Sequence, residues 1–282
     1  MTTARLTLES SRYFISTQST IAIENRDKQD DFPVHSHEFD ELVIVFAGNG
    51  IHMWNGHESP ITCGDLFYIH AEDKHGFRSV NALNLVNILY KPQQFALKSV
   101  IDRYIPAPNA PCSERHWQIN LSFLAQIQQV IEQISPECQK ADRSAIDLSE
   151  TLFLQLAILL YRFRHQPDSA TLSSAHQLDI LFSYLHKSID KPFSLPNFAK
   201  EYQISTSSLR RLFKARTGMT VNHYLQQLRL CQAASLLRET DLSISEIAAR
   251  CGYDDSNYFS SVFHRHMRQT ASQYRRCFQG DS

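Results

Sequence analysis

Arg210 and Lys214 stand four residues apart in the segment Thr206–Arg216, whose Leu209, Leu212 and Phe213 follow the i, i+3, i+4 spacing of a buried helical stripe. That spacing turns Ser207, Arg210, Arg211 and Lys214 to the opposite, solvent side. An arginine presented in this way pairs bidentately with O6 and N7 of guanine, and a lysine reaches the same edge or a phosphate. A second segment, Asp255–Met267, repeats the arrangement. Phe259, Val262, Phe263 and Met267 form its stripe, Asn257, Ser260, Ser261 and His264 its outer face, and Arg265 sits at the margin, placed for a phosphate. The chemistry of both faces is hydrogen bonding to base edges and neutralisation of the DNA backbone.

Two copies of a helix-turn-helix must hold those faces. The first runs from the helix Leu195–Tyr202 through the turn Gln203–Ser205 into Thr206–Arg216, and the second from Ile244–Arg250 through Cys251–Asp254 into Asp255–Met267. Setting Phe213 over Phe263 also sets Leu209 over Phe259, Leu212 over Val262, Thr220 over Thr270 and Tyr224 over Tyr274, an offset of 50 residues. It falls to 49 for the first helices, Ala199 over Ala248, because the second turn has one extra residue. Either copy alone also admits the reading of a solvated face of a helical domain; repetition at a fixed offset favours two DNA readers. Between them Asn222–Arg238 reads as one helix with Tyr224, Leu225, Leu228, Leu230, Leu236 and Leu237 as its apolar positions. At about 1.5 Å per residue it spans roughly 25 Å. Successive major-groove entries lie ~34 Å apart, so some bending of the DNA would make up the difference.

The net charge of −1 over 282 residues argues nothing about nucleic acid, but its distribution does. Residues 172–282 hold 14 Lys/Arg against 9 Asp/Glu, and the remainder 14 against 20, so the basic half is the half with the motifs. A hydrophobic content of 43% suits two ordinary cores. The polar stretch His165–Gln177 is the expected boundary: residues 1–165, a linker 166–177, and 178–282 with the motifs at about 196–217 and 244–267. No N-terminal signal-type segment is legible and no run approaches the eighteen or so apolar residues of a membrane span, so a cytoplasmic protein is expected. Cys63, Cys112, Cys138, Cys231, Cys251 and Cys277 form no Cys-x-x-Cys pair, which excludes a zinc ribbon and leaves reduced, mostly buried thiols as the expectation.

The first ninety residues have a different texture. Short apolar or alternating runs recur at Tyr13–Ile15, Thr20–Glu24, Glu41–Phe46, Ile51–Trp54, Ser59–Thr62, Leu66–Ile69, Phe77–Val80 and Leu83–Tyr90, with Asn49-Gly50 and Asn55-Gly56 as tight-turn signals. They predict a β-barrel or sandwich. Helical patterns follow at Ile119–Ile134 and Ala145–Phe163, and the apolar face of the second is wide enough either for a plain core helix or for packing against a second subunit. The overall expectation is an α+β chain of two domains.

Within the barrel stands Pro33-Val34-His35-Ser36-His37-Glu38-Phe39-Asp40-Glu41, followed by Gly48, and later Gly64–His70 with His75. Alternate residues His35 and His37 face one side of a strand, and two imidazoles with a carboxylate suit iron, manganese, nickel or zinc. The spacing resembles the cupin family. That resemblance puts the four metal-ligand positions on His35, His37, Glu41 and His75, with His70 standing where the second motif usually has Pro. The other reading is a metal-free sugar pocket. Its polar groups His35, His37, Glu41 and His75 need an aromatic platform, for which Trp54, Tyr68 and Phe77 are available.

A cupin-like barrel, a helical connector and two helix-turn-helix motifs ending in Thr-x-x-x-Tyr together resemble the AraC/XylS family of bacterial transcription regulators, across essentially the whole chain. Glu41–Val45, Gly48-Asn49-Gly50, Gly64–Ala71, Asp73-Lys74-His75, Thr217–Thr220 and Asp255–Ser260 look like its L-rhamnose-responsive members. The resemblance implies a homodimer that takes L-rhamnose as effector, binds promoter half-sites in double-stranded DNA and activates genes of rhamnose regulation and catabolism. It carries base readers onto Arg210, Lys214, Asp255 and Asn257, and a contact with the sigma subunit of RNA polymerase onto Glu246. Glu246 reads equally as a helix-start charge. No catalytic role, cofactor or membrane partner is implied, and no nucleophile–base triad or phosphate loop is legible. The remaining alternative is a cupin metalloenzyme that its C-terminal domain localises to DNA. Three departures stand out: Arg268 where the family usually has Gly, Ala271 where Pro is common, and Lys214 where Arg is equally at home. A non-glycine residue at a left-handed helix end costs about 1 kcal/mol.

Overall fold

The computed structural model describes residues 6–165 and 174–279. By packing, the chain divides into two units, Met1–Gly50 with Ile61–His176 and Ile51–Pro60 with Gln177–Ser282. Of the expected linker, residues 166–173 lie outside the described residues. A helix already runs from Ser174, ahead of the expected start at Leu178, since small polar residues are favoured where helices begin.

The strands are β1 (Thr7–Leu8), β2 (Ile21–Gln29), β3 (Phe32–His37), β4 (Asp40–Trp54), β5 (His57–Thr62), β6 (Asp65–Ile69), β7 (His75–Tyr90) and β8 (His116–Gln118). They form one sheet in the order β1-β3-β7-β4-β6-β8, with β2 paired to β7 and β5 to β4. Among the described residues the path has two ends, so the cupin-like sheet is open rather than a closed barrel. Alternation decides what each strand buries. Ile21, Leu42, Ile44, Leu66, Tyr68, Val86, Ile88 and Tyr90 join one core, while Ala22 and Leu89 pack with Phe14 and Phe39 in another.

Two expectations are corrected here. Tyr13–Ile15 is not a strand but the exit of a 3-10 turn, Ser10–Arg12. Asn49-Gly50 is not a turn, because β4 continues through it. Gly48 there has φ +77°, and a Cβ on it would stand 2.1 Å from the carbonyl oxygen of Ala82. The glycine lets β4 approach the backbone of β7, which the dipeptide signal for a turn does not distinguish. Asn55-Gly56, with φ values of 49° and 84°, is the turn between β4 and β5.

After two short helices, α1 (Lys98–Ile101) and α2 (Cys112–Arg115), come α3 (Leu121–Glu137) and α4 (Arg143–His165). Asn120 caps α3 by accepting from the Phe123 N–H at 2.9 Å. Ile127, Val130, Ile131 and Ile134 of α3 and Phe153, Leu156 and Leu160 of α4 complete the core under the sheet. Contrary to the sequence expectation, α4 is long and apolar enough, by length and composition, to cross a membrane. Its pattern is that of a core helix. Buried Glu150 accepts from Thr20 Oγ1 and the Ala96 N–H, each at 2.9 Å.

In the second unit α5 (Ser174–Lys187), α6 (Leu195–Glu201), α7 (Thr206–Thr217), α8 (Val221–Glu239), α9 (Ile244–Arg250), α10 (Ser256–Met267) and α11 (Ala271–Gln279) form two cores. Leu181, Phe182, Phe198, Leu209 and Phe213 meet Tyr224, Leu225 and Leu228 of α8 in the first. Ile247, Phe259, Val262, Phe263 and Tyr274 meet Leu230, Ala233, Ala234 and Leu237 of the same helix in the second. Cys63, Cys138, Cys231 and Cys251 are buried and Cys277 is exposed. Burial pushes the Cys138 and Cys251 thiols up to about 12, which makes them inert.

Helices α7 and α10 end alike, on Gly218 at φ 73° and on Arg268 at φ 59°, both left-handed. The departure from glycine is therefore held in the conformation that penalises it. Arg268→Gly should raise the unfolding free energy by about 0.5 kcal/mol, the relief of the left-handed Cβ less the added freedom of the unfolded chain. Urea titration checks this, and an unchanged midpoint would show that Arg268 is not strained.

Candidate functional site

Helices α7 and α10 are each launched by a side-chain cap. Ser205 Oγ accepts from the Ser208 N–H at 3.4 Å, and Asp255 Oδ1 from the N–H groups of Asn257 and Tyr258 at 2.7 and 3.3 Å. On α7, Ser207, Arg210, Arg211 and Lys214 are all exposed. On α10 the same holds for Asn257, Ser261, His264 and Arg265, and Asp255 is exposed beside them. The sequence-derived faces are thus brought together on their helices, with Asp255 serving as the cap of α10. Arg216 is excluded from the face: it is buried with its guanidinium 5.2 Å from the Phe182 ring centroid. Tyr258, 57% exposed between Asn257 and the buried Phe259, was not singled out by sequence. An aromatic residue off the buried stripe was the available signal.

Glu246 closes a capping box at the start of α9. Its Oε2 accepts from the backbone N–H and Oγ of Ser243 at 2.8 and 2.7 Å, while Ser243 Oγ accepts from the Glu246 N–H at 3.2 Å. These hydrogen bonds, that of the Ser243 hydroxyl first, hold its carboxyl below the usual range. Its outer surface remains exposed.

In the first unit, β3 places His35 and His37 on one face, His35 pairs in register with His75 of β7, and β4 supplies Glu41. The Nδ1 atoms of His35 and His37 face the carbonyls of Pro33 and Phe39, so each ring donates there, and His37 turns its Nε2 toward Glu41. His37 Nε2 and His75 Nε2 lie 3.5 and 3.2 Å from the same oxygen of Glu41, and all three residues are buried. Burial favours a neutral Glu41, but the close approach of the His37 and His75 rings outweighs it and holds the carboxyl well below its usual range. Burial likewise opposes the charge on His37. The close, negatively charged Glu41 prevails and raises its pKa. His35 is pushed down to about 4 by burial and by His75 beside it.

The Nε2 atoms of His37 and His75 and a Glu41 oxygen lie within 4.8 Å of one another, a donor set that fits a borderline divalent ion as well as a proton. Of the four metal positions carried over by resemblance, three converge. His35 instead packs its ring 4.4 Å from that of His75.

Beside this cluster is a small cavity that opens to solvent. His35, Glu41 and His75 line it, as does the anticipated aromatic Phe77, together with Tyr13, Phe32 and Phe39. Three of the anticipated pocket residues do not. His37 is buried against Glu41, and Trp54 belongs to the end of β4. Tyr68 pairs with Leu42, one residue out of phase with Glu41, so it faces the core and stacks on Trp117 at 5.6 Å. Sequence reasoning missed Glu24 and Arg26, an ion pair at 3.3 Å on β2, and Asn87, directly across from Glu24 on β7. The period-two spacing of Ala22, Glu24 and Arg26 was the signal that could have found them.

Residues 198–277 match the family model described as a helix-turn-helix domain, and residues 18–157 match the AraC-like ligand binding domain. The chain belongs to the AraC family. Among its relatives, the HTH-type transcriptional activator RhaR of Pectobacterium atrosepticum is 44% identical, covering 97% of this chain and 96% of its own length. That of Mannheimia succiniciproducens is 46% identical, covering 97% and 98%. A solved structure, the C-terminal domain of AraT, a response regulator from Geobacillus stearothermophilus, is 32% identical over 40% of this chain and 93% of its own, with a TM-score of 0.37. As an AraC-family member the chain is a DNA-binding transcription regulator. Both exposed recognition faces fall inside the first matched region, and the lining of the cavity from Glu24 to Leu89 inside the second.

Proposed function

We propose that this AraC-family chain is a transcription activator that responds to L-rhamnose, binds promoter half-sites as a homodimer and engages the sigma subunit of RNA polymerase through Glu246. Near-full-length identity of 44–46% to activators named RhaR carries the reading. The cavity supports it. Glu24, Arg26, His35 and Asn87 offer hydrogen-bonding groups to sugar hydroxyls, and Phe32 and Phe77 offer an apolar surface to a deoxyhexose methyl group. Residues 1–165 would then sense and dimerise, 166–177 link, and 178–282 bind DNA in the cytoplasm. The exposed Leu148 and Tyr161 of α4, at 46% and 39%, favour a subunit contact on that helix. Calorimetry of the purified protein against L-rhamnose, other deoxyhexoses and pentoses tests the effector, and heat with none of them overturns it.

The convergence of His37, Glu41 and His75 is the observation that favours a second reading, a cupin metalloenzyme. A bound ion would there polarise a substrate oxygen, with His37 and His75 turned toward it by their strands. As a regulator, the protein keeps its sugar response after exhaustive chelation. Loss of the response together with stoichiometric metal in the untreated protein would favour the enzyme.

Glu246 has a cap to make and, in this reading, a partner to meet. Glutamine at this position completes a capping box as glutamate does, but without charge. Glu246→Gln should therefore keep the unfolding midpoint and operator affinity while reducing rhamnose-induced transcription, by a few-fold at most for an exposed ion pair. Glu246→Ala should lose the midpoint as well. Full transcription from the Gln variant would leave Glu246 as a cap alone.

A further inference from the structure

The two cores of the second unit share α8, and each holds its own recognition helix. A single shared helix leaves the halves free to bend and twist about its middle. Arg229 stands at that middle, between Leu228 in the first core and Leu230 in the second. Its Nε donates to the carbonyl of Ile189 at 2.9 Å and its Nη2 to that of Lys191 at 2.8 Å. Both carbonyls belong to the segment after α5, and Ile189 itself packs against the first core. The same guanidinium lies 5.7 Å from the ring centroid of Tyr253, in the turn between α9 and α10. A Cβ on Gly252 would stand 2.6 Å from Nη2 and equally close to the Ile189 carbonyl oxygen, and Gly252 has φ +73°. Three chain segments therefore meet at one planar fork with no room for a methyl group.

We propose that Arg229 is a positioning residue that locks the turn after α5 to the turn that aims α10, and thereby makes the protein read the spacing between the two DNA segments contacted by α7 and α10. This rests on the reading that both helices contact DNA. The fork suits the task because its donors are coplanar and fixed, whereas a lysine offers one mobile point charge. Once one helix is seated, engagement of the other is intramolecular. Its gain is greatest when the fixed span matches the site and is lost when the geometry forbids both contacts. A stiff junction therefore rejects altered spacing, and a loose one tolerates it.

The test uses the full chain and a duplex selected from random sequence by the wild-type protein, with versions carrying one base pair inserted or deleted between the two segments, and a duplex with only one segment. Anisotropy titrations are run well below the unfolding midpoint. Wild type should prefer the selected spacing by about tenfold or more. In Arg229→Met, and to a smaller extent in Arg229→Lys, that preference should fall several-fold toward unity while affinity for the single segment stays unchanged. A merely structural role would lower affinity for every duplex by the same factor and keep the preference, which overturns the proposal. Lysine keeps the charge and the aliphatic stem, so it reports if the Met variant does not fold. If Arg229→Lys is folded and retains the full wild-type preference, the coplanar fork is not what sets the spacing. A wild type indifferent to spacing would overturn the reading of DNA by both helices, and this inference with it.

Discussion

Glu41→Ala should lower the unfolding free energy of the first unit by about 3–5 kcal/mol, the loss expected when one partner of a buried charged group is removed and the other is left uncompensated. Glu41 is the carboxylate shared by His37 and His75, and without it the Nε2 of His37 loses its closest negative charge. The pH dependence follows from the directions of the shifts. The Glu41 carboxyl is depressed, so its contribution is present above the unfolded value of 4.5 and is lost as pH falls. His37 is raised, so its contribution is complete below 6.5 and is lost as pH rises through its folded value. The deficit of the variant should therefore be greatest between these two values and shrink on the alkaline side. His35 acts in the opposite sense. Its pKa near 4 against 6.5 unfolded means that the unfolded chain takes up a proton first, so stability falls as pH drops from 6.5 toward 4. Urea titrations at pH 5.5 and 8 on both proteins measure the difference. Equal midpoints at pH 5.5 would mean that the cluster contributes nothing to folding.

Arg210→Ala should weaken binding to the specific operator by about 1–3 kcal/mol, a loss of roughly 5-fold to 150-fold, and relax selectivity at one base position. The side chain is exposed on α7, outside the core formed by Leu209 and Phe213, so the fold should not change. Lys214→Ala is the comparison. A lysine that reaches only phosphate lowers affinity for all sequences alike and reduces the salt dependence. An equal loss on operator and random duplex would assign Arg210 to the phosphates too.

The helical half was legible because its signals are local and repeated. Leu209, Leu212 and Phe213 mark their own face without knowledge of any other element, and Phe259, Val262 and Phe263 repeat the mark at a fixed offset. The sheet was less legible because a strand's facing depends on its partner's register. Tyr68 and Glu41 both lie in runs read correctly as strands. Only the pairing of Leu42 with Tyr68 and of Glu41 with Ile69 separates the core from the cavity. Glu24 and Arg26 escaped for the same reason, since charges at the end of a strand pattern read as solvated until Asn87 is found across from Glu24. The two- and three-residue strands β1 and β8 are too short to bear any periodicity. Gly48 shows the limit of dipeptide signals: Gly-Asn-Gly announces backbone freedom, and whether that freedom serves a turn or a close approach is decided by Ala82, far along the chain.

The placement of α8 across two cores has a consequence for how the second unit breathes. Most amides in such a domain exchange their hydrogens when one cooperative piece opens, and the two cores are the natural pieces. The helical hydrogen bonds around Leu228 to Leu230 differ, because both cores hold them closed. Their protons should be released only in the rarest opening, the one that dissolves both pieces together. The ends of α8 and the helices of each half should follow their own core. A deuterium-exchange profile with its slowest amides at the centre of α8, falling by separate steps on either side, would thus record a reader whose halves loosen one at a time about a point that does not.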